Sequence, residues 1–208
     1  MRRDDIISPD DYRAIENSLA FEIPLPVAKD WSAAADFLKL LSDFCLDKKP
    51  VNIVECSSGT SSLVLAKCCQ MNESGHVYSL ENGEEFAQKT RRQLTDFSLG
   101  SHCSVIHSPL ENIEVNGVPF KWYTLDKLPV RDINVLVVDG PSGFIQKNSR
   151  YPALPLLVDR LAKDCVIFLD DAAREDEQAL VRLWQLEFPE FQAEYIENER
   201  GCFVLRRC

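Results

Sequence analysis

Short, largely apolar segments at residues 51–54, 75–80, 103–106, 133–138 and 165–169 alternate with stretches whose apolar residues return at helical spacing. No other feature of the chain restricts its fold as much. A strand that is apolar on both faces must be covered on both faces, and a mostly parallel sheet between two layers of helices does this. Residues 191–196 and 202–206 follow as two further strands, and the turn at 198–201 is short enough to make them antiparallel. The sequence therefore predicts an α/β fold, doubly wound and Rossmann-like. It has a seven-stranded, mostly parallel sheet, helices on both faces and a closing antiparallel hairpin.

Helices are predicted over 60–69, entered through a Ser/Gly turn, and over 84–97, with Phe86, Thr90, Leu94 and Phe97 on one face. Two more cover 153–162, started by Pro152, and 174–187, capped by Asp170 or Asp171. Residues 109–129 are irregular, with an Asn116-Gly117 turn and the aromatic residues Phe120, Trp122 and Tyr123, and read as a hairpin or an extended excursion. Before the first strand, Ser8 and Pro9 open a short helix over 9–20. A second helix over 32–46 carries Ala34, Phe37, Leu38, Leu41, Phe44 and Cys45 on one face. The chain thus divides into an N-terminal helical segment, 1–47, and a main domain, 48–208.

Composition narrows the partners. Lys and Arg number 23 against 33 Asp and Glu, a net charge of −10, which opposes nucleic acid and anionic lipid. The apolar run at 165–169 is far shorter than the ~20 residues a bilayer requires. The first residues are basic but lack a following apolar stretch, so no secretory leader is read and a cytoplasmic location is expected. Eight cysteines, at 45, 56, 68, 69, 103, 165, 202 and 208, form no Cys-x-x-Cys pair. They read as reduced, buried thiols, with Cys208 the accessible one.

In a sheet of this kind, ligands bind beyond the carboxyl ends of the strands. The first strand runs into Glu55 and a loop of Ser57, Ser58, Gly59, Ser61 and Ser62, small residues that let a ligand approach a helix N-terminus. The second ends in Glu81 and Asn82, where a carboxylate accepts hydrogen bonds from a ribose diol. The third leads to His107 and Ser108, the fourth to Asp139, and the fifth to Asp170 and Asp171. A small-residue loop followed by an acid roughly twenty residues later suits a nucleoside-containing cofactor. The bland alternative is a tight turn with Glu81 facing solvent. The full Gly-x-Gly-x-x-Gly of a nicotinamide-dependent oxidoreductase is absent, which sets that reading behind the others.

Four motifs together resemble a family: Glu55-x-Ser57-x-Gly59, Tyr78-Ser79-Leu80-Glu81, Val138-Asp139-Gly140-Pro141-Ser142-Gly143, and Arg150-Tyr151-Pro152 with the apolar run after it. They are similar to class I S-adenosylmethionine-dependent methyltransferases, most of all to the small catechol-O-methyltransferase-like branch, over about residues 48 to 208. The resemblance implies that Glu55 and the 57–62 loop bracket the methionine part of S-adenosylmethionine, that Glu81 holds the ribose, and that Ser108 lies near the adenine. Asp139 is implied beside the methyl group, and the N-terminal helices as a cap on the acceptor site. The usual loop glycines are replaced by Ser57 and Ser61.

Metal-dependent members of that branch suggest that Asp139, Asp170 and Asp171 surround Mg²⁺ and that the ion grips an acceptor hydroxyl. One of Asp170 and Asp171 reads alternatively as a helix cap. Lys147 and Arg150 read as solvated loop residues rather than bases, and His107 as a residue that lines the cofactor pocket. Trp31, Trp122 and Tyr123 are candidates for the acceptor wall or for packing, and the stretch around Trp122 for pairing with a second copy. The function expected is O-methylation of a small hydroxylated molecule. A cofactor-binding or interaction module without turnover is the alternative.

Overall fold

The computed structural model describes residues 10–28 and 31–208; the predicted helix start at Ser8 and Pro9 lies outside them. Helix α1 (Asp10–Ser18) and the turn after it bury Tyr12, Ile15 and Leu19, and helix α2 (Ala35–Lys48) buries Phe37, Leu38, Leu41 and Cys45. The Tyr12 hydroxyl donates to the Ala33 carbonyl at 2.8 Å and ties the two together. The order then runs β1 (Asn52–Cys56), α3 (Thr60–Met71), β2 (His76–Glu81), α4 (Glu84–Asp96), β3 (Cys103–His107), β4 (Leu110–Val115), β5 (Val118–Tyr123) and β6 (Ile133–Val138). It closes with α5 (Ala153–Leu157), β7 (Leu161–Leu169), α6 (Glu175–Glu187), β8 (Phe191–Ile196) and β9 (Cys202–Arg207).

Seven strands form one sheet in the order β3-β2-β1-β6-β7-β9-β8. β1 lies parallel to both β2 and β6, with Cys56 opposite Leu80 on one side and Val138 on the other. β9 is antiparallel to β7 and β8. The direction of winding reverses between β1 and β6, which fixes the crevice at their carboxyl ends as the place for a ligand.

Successive strand residues point to opposite faces, and the core divides accordingly. Ile53, Val77, Val135 and Phe168 pack with the helices α1–α4. Val54, Leu80, Leu136 and Ile167 pack with α5, α6 and the β4–β5 hairpin. The irregular stretch is thus a hairpin, turned at Asn116 and Gly117 with φ of 53° and 76°. That mirror-image turn suits the twist of paired strands. Between β3 and β6 the hairpin covers the sheet where a crossover helix would ordinarily lie, and it drives Trp122 fully into the core.

Several sequence expectations change. The apolar helix after Pro152 stops at Leu157 and passes through a 3-10 turn, Val158–Arg160, because Leu161 joins the sheet opposite Ile133. β7 therefore begins four residues before the expected strand. Phe86 is 62% exposed, and the buried face of α4 is Ala87, Thr90 and Leu94. Burial of Trp122 removes it as a surface for a second copy. Seven cysteines are buried and free and Cys208 is exposed, as the sequence suggested. Among the described residues, no helix is long and apolar enough to cross a membrane.

Candidate active site

Three hydrophilic arrangements meet at the carboxyl edge of β1, β2, β6 and β7. The first is the loop after β1. Gly59 holds φ of 154° with nothing within 4 Å of an added Cβ, so the turn rather than crowding calls for glycine. Ser57 holds φ of 116°, a left-handed backbone that its side chain disfavours. Its N–H is fixed by the Leu80 carbonyl at 2.8 Å. The first turn of α3 begins at Thr60, where helix N–H groups lack intrahelical partners and favour an anionic group.

Beneath that loop Glu55 is fully buried. The Ser62 hydroxyl donates to its Oε2 at 2.5 Å and the Ser79 hydroxyl at 2.8 Å, and its Oε1 has no partner among the described residues. Burial raises its pKa to about 7, against the pull of the Ser61, Ser62 and Ser79 hydroxyls. Glu55 therefore supports the loop from below, and its carboxylate does not lie open in the crevice as expected.

The second arrangement centres on Glu81. Ser58 donates to its Oε2 and the Gly83 N–H to its Oε1, each at 2.9 Å, so the carboxylate plane is set by two donors while further lone pairs stay free. Asn82 is exposed beside it. Ser108 is fully buried; its N–H donates to the Glu81 carbonyl at 2.8 Å and its hydroxyl points back to Ile106. Its side chain is thus turned onto its own strand and not toward Glu81. His107 is engaged with Glu84, 2.7 Å away.

The third arrangement is acidic. One oxygen from each of Asp139, Asp170 and Asp171 lies within 4.8 Å of the others. Arg150, 3% exposed, enters this cluster: its guanidinium donates to the Asp139 carboxylate at 3.1 Å, the Asp171 carboxylate at 2.7 Å and the Asp170 backbone carbonyl at 2.9 Å. Arg174 reaches Asp171 at 2.8 Å and Glu177 lies 3.6 Å from Arg150. Arg150 is thus no solvated loop residue, whereas Lys147 is exposed. Neither Asp170 nor Asp171 caps α6: Arg174 stands at the N-cap position with no side-chain cap. Instead, Asp171 is bound by the two arginines.

Among the described residues, Asp170 Oδ2 is buried without a partner. Burial and the neighbouring Asp139 and Asp171 hold the Asp170 pKa well above the carboxylate range, and burial lifts Asp139 to about 6 despite Arg150. Carboxylate oxygens suit a hard divalent cation; the oxygen left for one is Asp170 Oδ2, since Arg150 already pairs with Asp139 and Asp171, and Arg174 with Asp171.

Sequence reasoning undervalued Arg150 and missed Glu177 and the supporting hydroxyls of Ser58 and Ser79. The signals were present in part: Arg150 sits within a recognised motif, and Glu177 falls three residues after Arg174 on one helix face. Trp31 is 74% exposed, Trp122 is core, and Tyr123 is 3% exposed with its ring edge-on to Trp122.

A crevice built this way, where the winding of a mostly parallel sheet reverses, is the ligand site of class I S-adenosylmethionine-dependent methyltransferases. The chain belongs to that family: residues 54–172, more than half of it, match the family profile of the methyltransferase domain. Solved structures share the fold. The O-methyltransferase from Bacillus cereus in complex with SAH is 16% identical, covers 99% of this chain and 94% of its own, and has a TM-score of 0.67. SAH-bound methyltransferase PaMTH1 of Podospora anserina is 16% identical over 96% and 88%, at 0.66. The O-methyltransferase TomG of Streptomyces achromogenes, involved in tomaymycin synthesis and in complex with SAM, is 13% identical over 97% and 91%, at 0.65. No curated protein matches the chain.

Proposed function

We propose that this protein transfers the methyl group of S-adenosylmethionine to a hydroxyl oxygen of a small acceptor. The observation that carries this reading is Glu81, whose carboxylate is oriented by Ser58 and Gly83 beside the β1 loop, as a ribose diol requires. The loop at the N-terminus of α3 receives the methionine carboxylate, and Asp139 borders the reacting end. The bond from acceptor oxygen to methyl carbon forms as the sulfur–carbon bond breaks, so the sulfonium becomes a neutral thioether and the acceptor proton passes to solvent. Two of the proteins with a similar fold are O-methyltransferases, one in complex with SAH and one with SAM, which supports oxygen as the acceptor atom.

Asp139, Asp170 and Asp171 would hold Mg²⁺, which supplies positive charge that makes an acceptor hydroxyl more acidic and orients it. Arg150 keeps Asp139 and Asp171 in register, while Asp170 Oδ2 stays unengaged. The segment before α2 caps the acceptor side: Ser32 Oγ lies 3.1 Å from Thr60 Oγ1, and the Thr60 hydroxyl is 3.2 Å from the Pro26 carbonyl. This leaves Trp31 exposed near the mouth.

The test is methyl transfer from labelled S-adenosylmethionine to a panel of catechols and other phenols, with Mg²⁺ or with a chelator, by wild type and Asp170→Asn. Oxygen-methylated product that requires Mg²⁺ and falls at least about tenfold in the variant is expected, roughly the loss of one metal ligand. Transfer indifferent to both Mg²⁺ and the substitution would remove the metal from the account. Cofactor binding without transfer to any acceptor would favour an interaction module.

A further inference from the structure

The hairpin brings one side chain to the crevice that the reading above does not use. Tyr123 is the last residue of β5, and its hydroxyl lies over Gly140 so closely that a Cβ on that glycine would run into it. The same added Cβ would stand 3.1 Å from Ser57 Cβ and 3.2 Å from the Cys56 carbonyl oxygen. Cys56 ends β1, and Gly140 lies two residues past the end of β6, its parallel neighbour. The phenol oxygen is therefore at the point where the winding of the sheet reverses, between the β1 loop and Asp139.

Among the described residues the Tyr123 hydroxyl makes no hydrogen bond, although the residue is 3% exposed. Burial, with Cys56 and Glu81 adding to it, holds the phenol well above its ordinary pKa, so the group is a neutral dipole. A phenol oxygen on a buried side chain, with no hydrogen-bond partner among the described residues, is open to a polar contact from a ligand.

We infer that Tyr123 is a cofactor-contacting residue whose hydroxyl oxygen faces the sulfonium centre of S-adenosylmethionine and selects the charged cofactor over the neutral thioether product. The inference rests on the methyltransferase reading and adds a residue to it. S-Adenosylmethionine carries a positive charge at sulfur and S-adenosylhomocysteine does not, so one oxygen dipole acts on the two unequally. Its effect is larger in the crevice than in bulk water because the local dielectric is lower. Release of product after transfer is favoured by the same difference.

The experiment is calorimetric titration of wild type and Tyr123→Phe with S-adenosylmethionine and, separately, S-adenosylhomocysteine. The variant keeps the ring and removes only the oxygen. Affinity for S-adenosylmethionine is expected to fall about fivefold to tenfold, the size of one modest polar contact, while affinity for S-adenosylhomocysteine stays within about twofold. Equal loss for both ligands, or no loss for either, overturns the inference. Tighter binding of both also overturns it, since the phenol would then obstruct the crevice. Wild type that binds neither ligand would sink the cofactor reading itself, a result no Tyr123 variant can mimic. Because the hydroxyl has no hydrogen bond to lose, Tyr123→Phe is expected to melt no lower than wild type. Gly140→Ala, which pushes a methyl group against that hydroxyl, serves as a second variant with the same expected bias against S-adenosylmethionine.

Discussion

Ser57 carries a strain that the usual loop glycine would not. Its φ of 116° costs a side-chain-bearing residue on the order of 1 kcal/mol or more. Ser57→Gly is therefore expected to raise the urea midpoint by a stability gain of about 1 kcal/mol; an unchanged or lower midpoint would show that the serine is accommodated without strain. Glu55 gives a pH dependence whose sign is set by burial. Its folded pKa of about 7 lies above the ordinary 4.5, so the native chain retains a proton that the unfolded chain releases between those values. The contribution is fully present below about pH 4.5 and disappears as pH rises through about 7. At about 1.4 kcal/mol per pH unit it amounts to at most about 3.5 kcal/mol. Urea midpoints of wild type and Glu55→Gln at pH 5 and pH 8 measure it: wild type should lose stability relative to the variant on going to pH 8, and parallel behaviour would refute the assignment.

At the scale of elements, the β4–β5 hairpin is the least ordinary part of the molecule. It closes over the face that α5 and α6 also cover, and its Asn116-Gly117 turn sets the register that sends Trp122 inward and Tyr123 to the crevice. Gly117 holds φ of 76°, a region where a β-branched side chain is strained. Gly117→Val should cost about 1 to 3 kcal/mol, readable as a lowered thermal midpoint, and should weaken cofactor binding if the register moves Tyr123. The Asn-Gly pair was visible in the sequence, but the alternation of Phe120, Trp122 and Tyr123 is broken by two adjacent aromatics, so hairpin and excursion could not be separated. The five parallel strands were legible because their apolar runs have no other fold to serve. The end of α5 was not, since Leu161 and Ala162 extend a helical pattern as well as they begin a strand, and only the pairing of Leu161 with Ile133 decides between them.

Across the whole molecule, the sheet sets four acids at one edge by a shared device: Glu81 ends β2, Asp139 follows β6, and Asp170 and Asp171 follow β7. That rule marked Glu81, Asp139, Asp170 and Asp171 as candidates from sequence, and the fold brings the three aspartates together. It could not foresee Arg150, which arrives from the long connection after β6 and is buried by the acids it pairs with. Nor could it foresee that Glu55 and Ser108 face inward, because a residue at a strand end can point to either layer. The N-terminal helices lie outside the 54–172 stretch that matches the family profile.

On the proposed reading, the crevice between β1, β2 and β6 holds an adenosyl cofactor through Glu81. Calorimetric titration with S-adenosylhomocysteine of wild type and Glu81→Ala tests it most directly. Saturable binding by wild type, weakened by at least about tenfold to a hundredfold in the variant as expected for lost hydrogen bonds to a charged acceptor, is the result the account requires. Wild-type binding that Glu81→Ala leaves unchanged, or no binding at all, would contradict it.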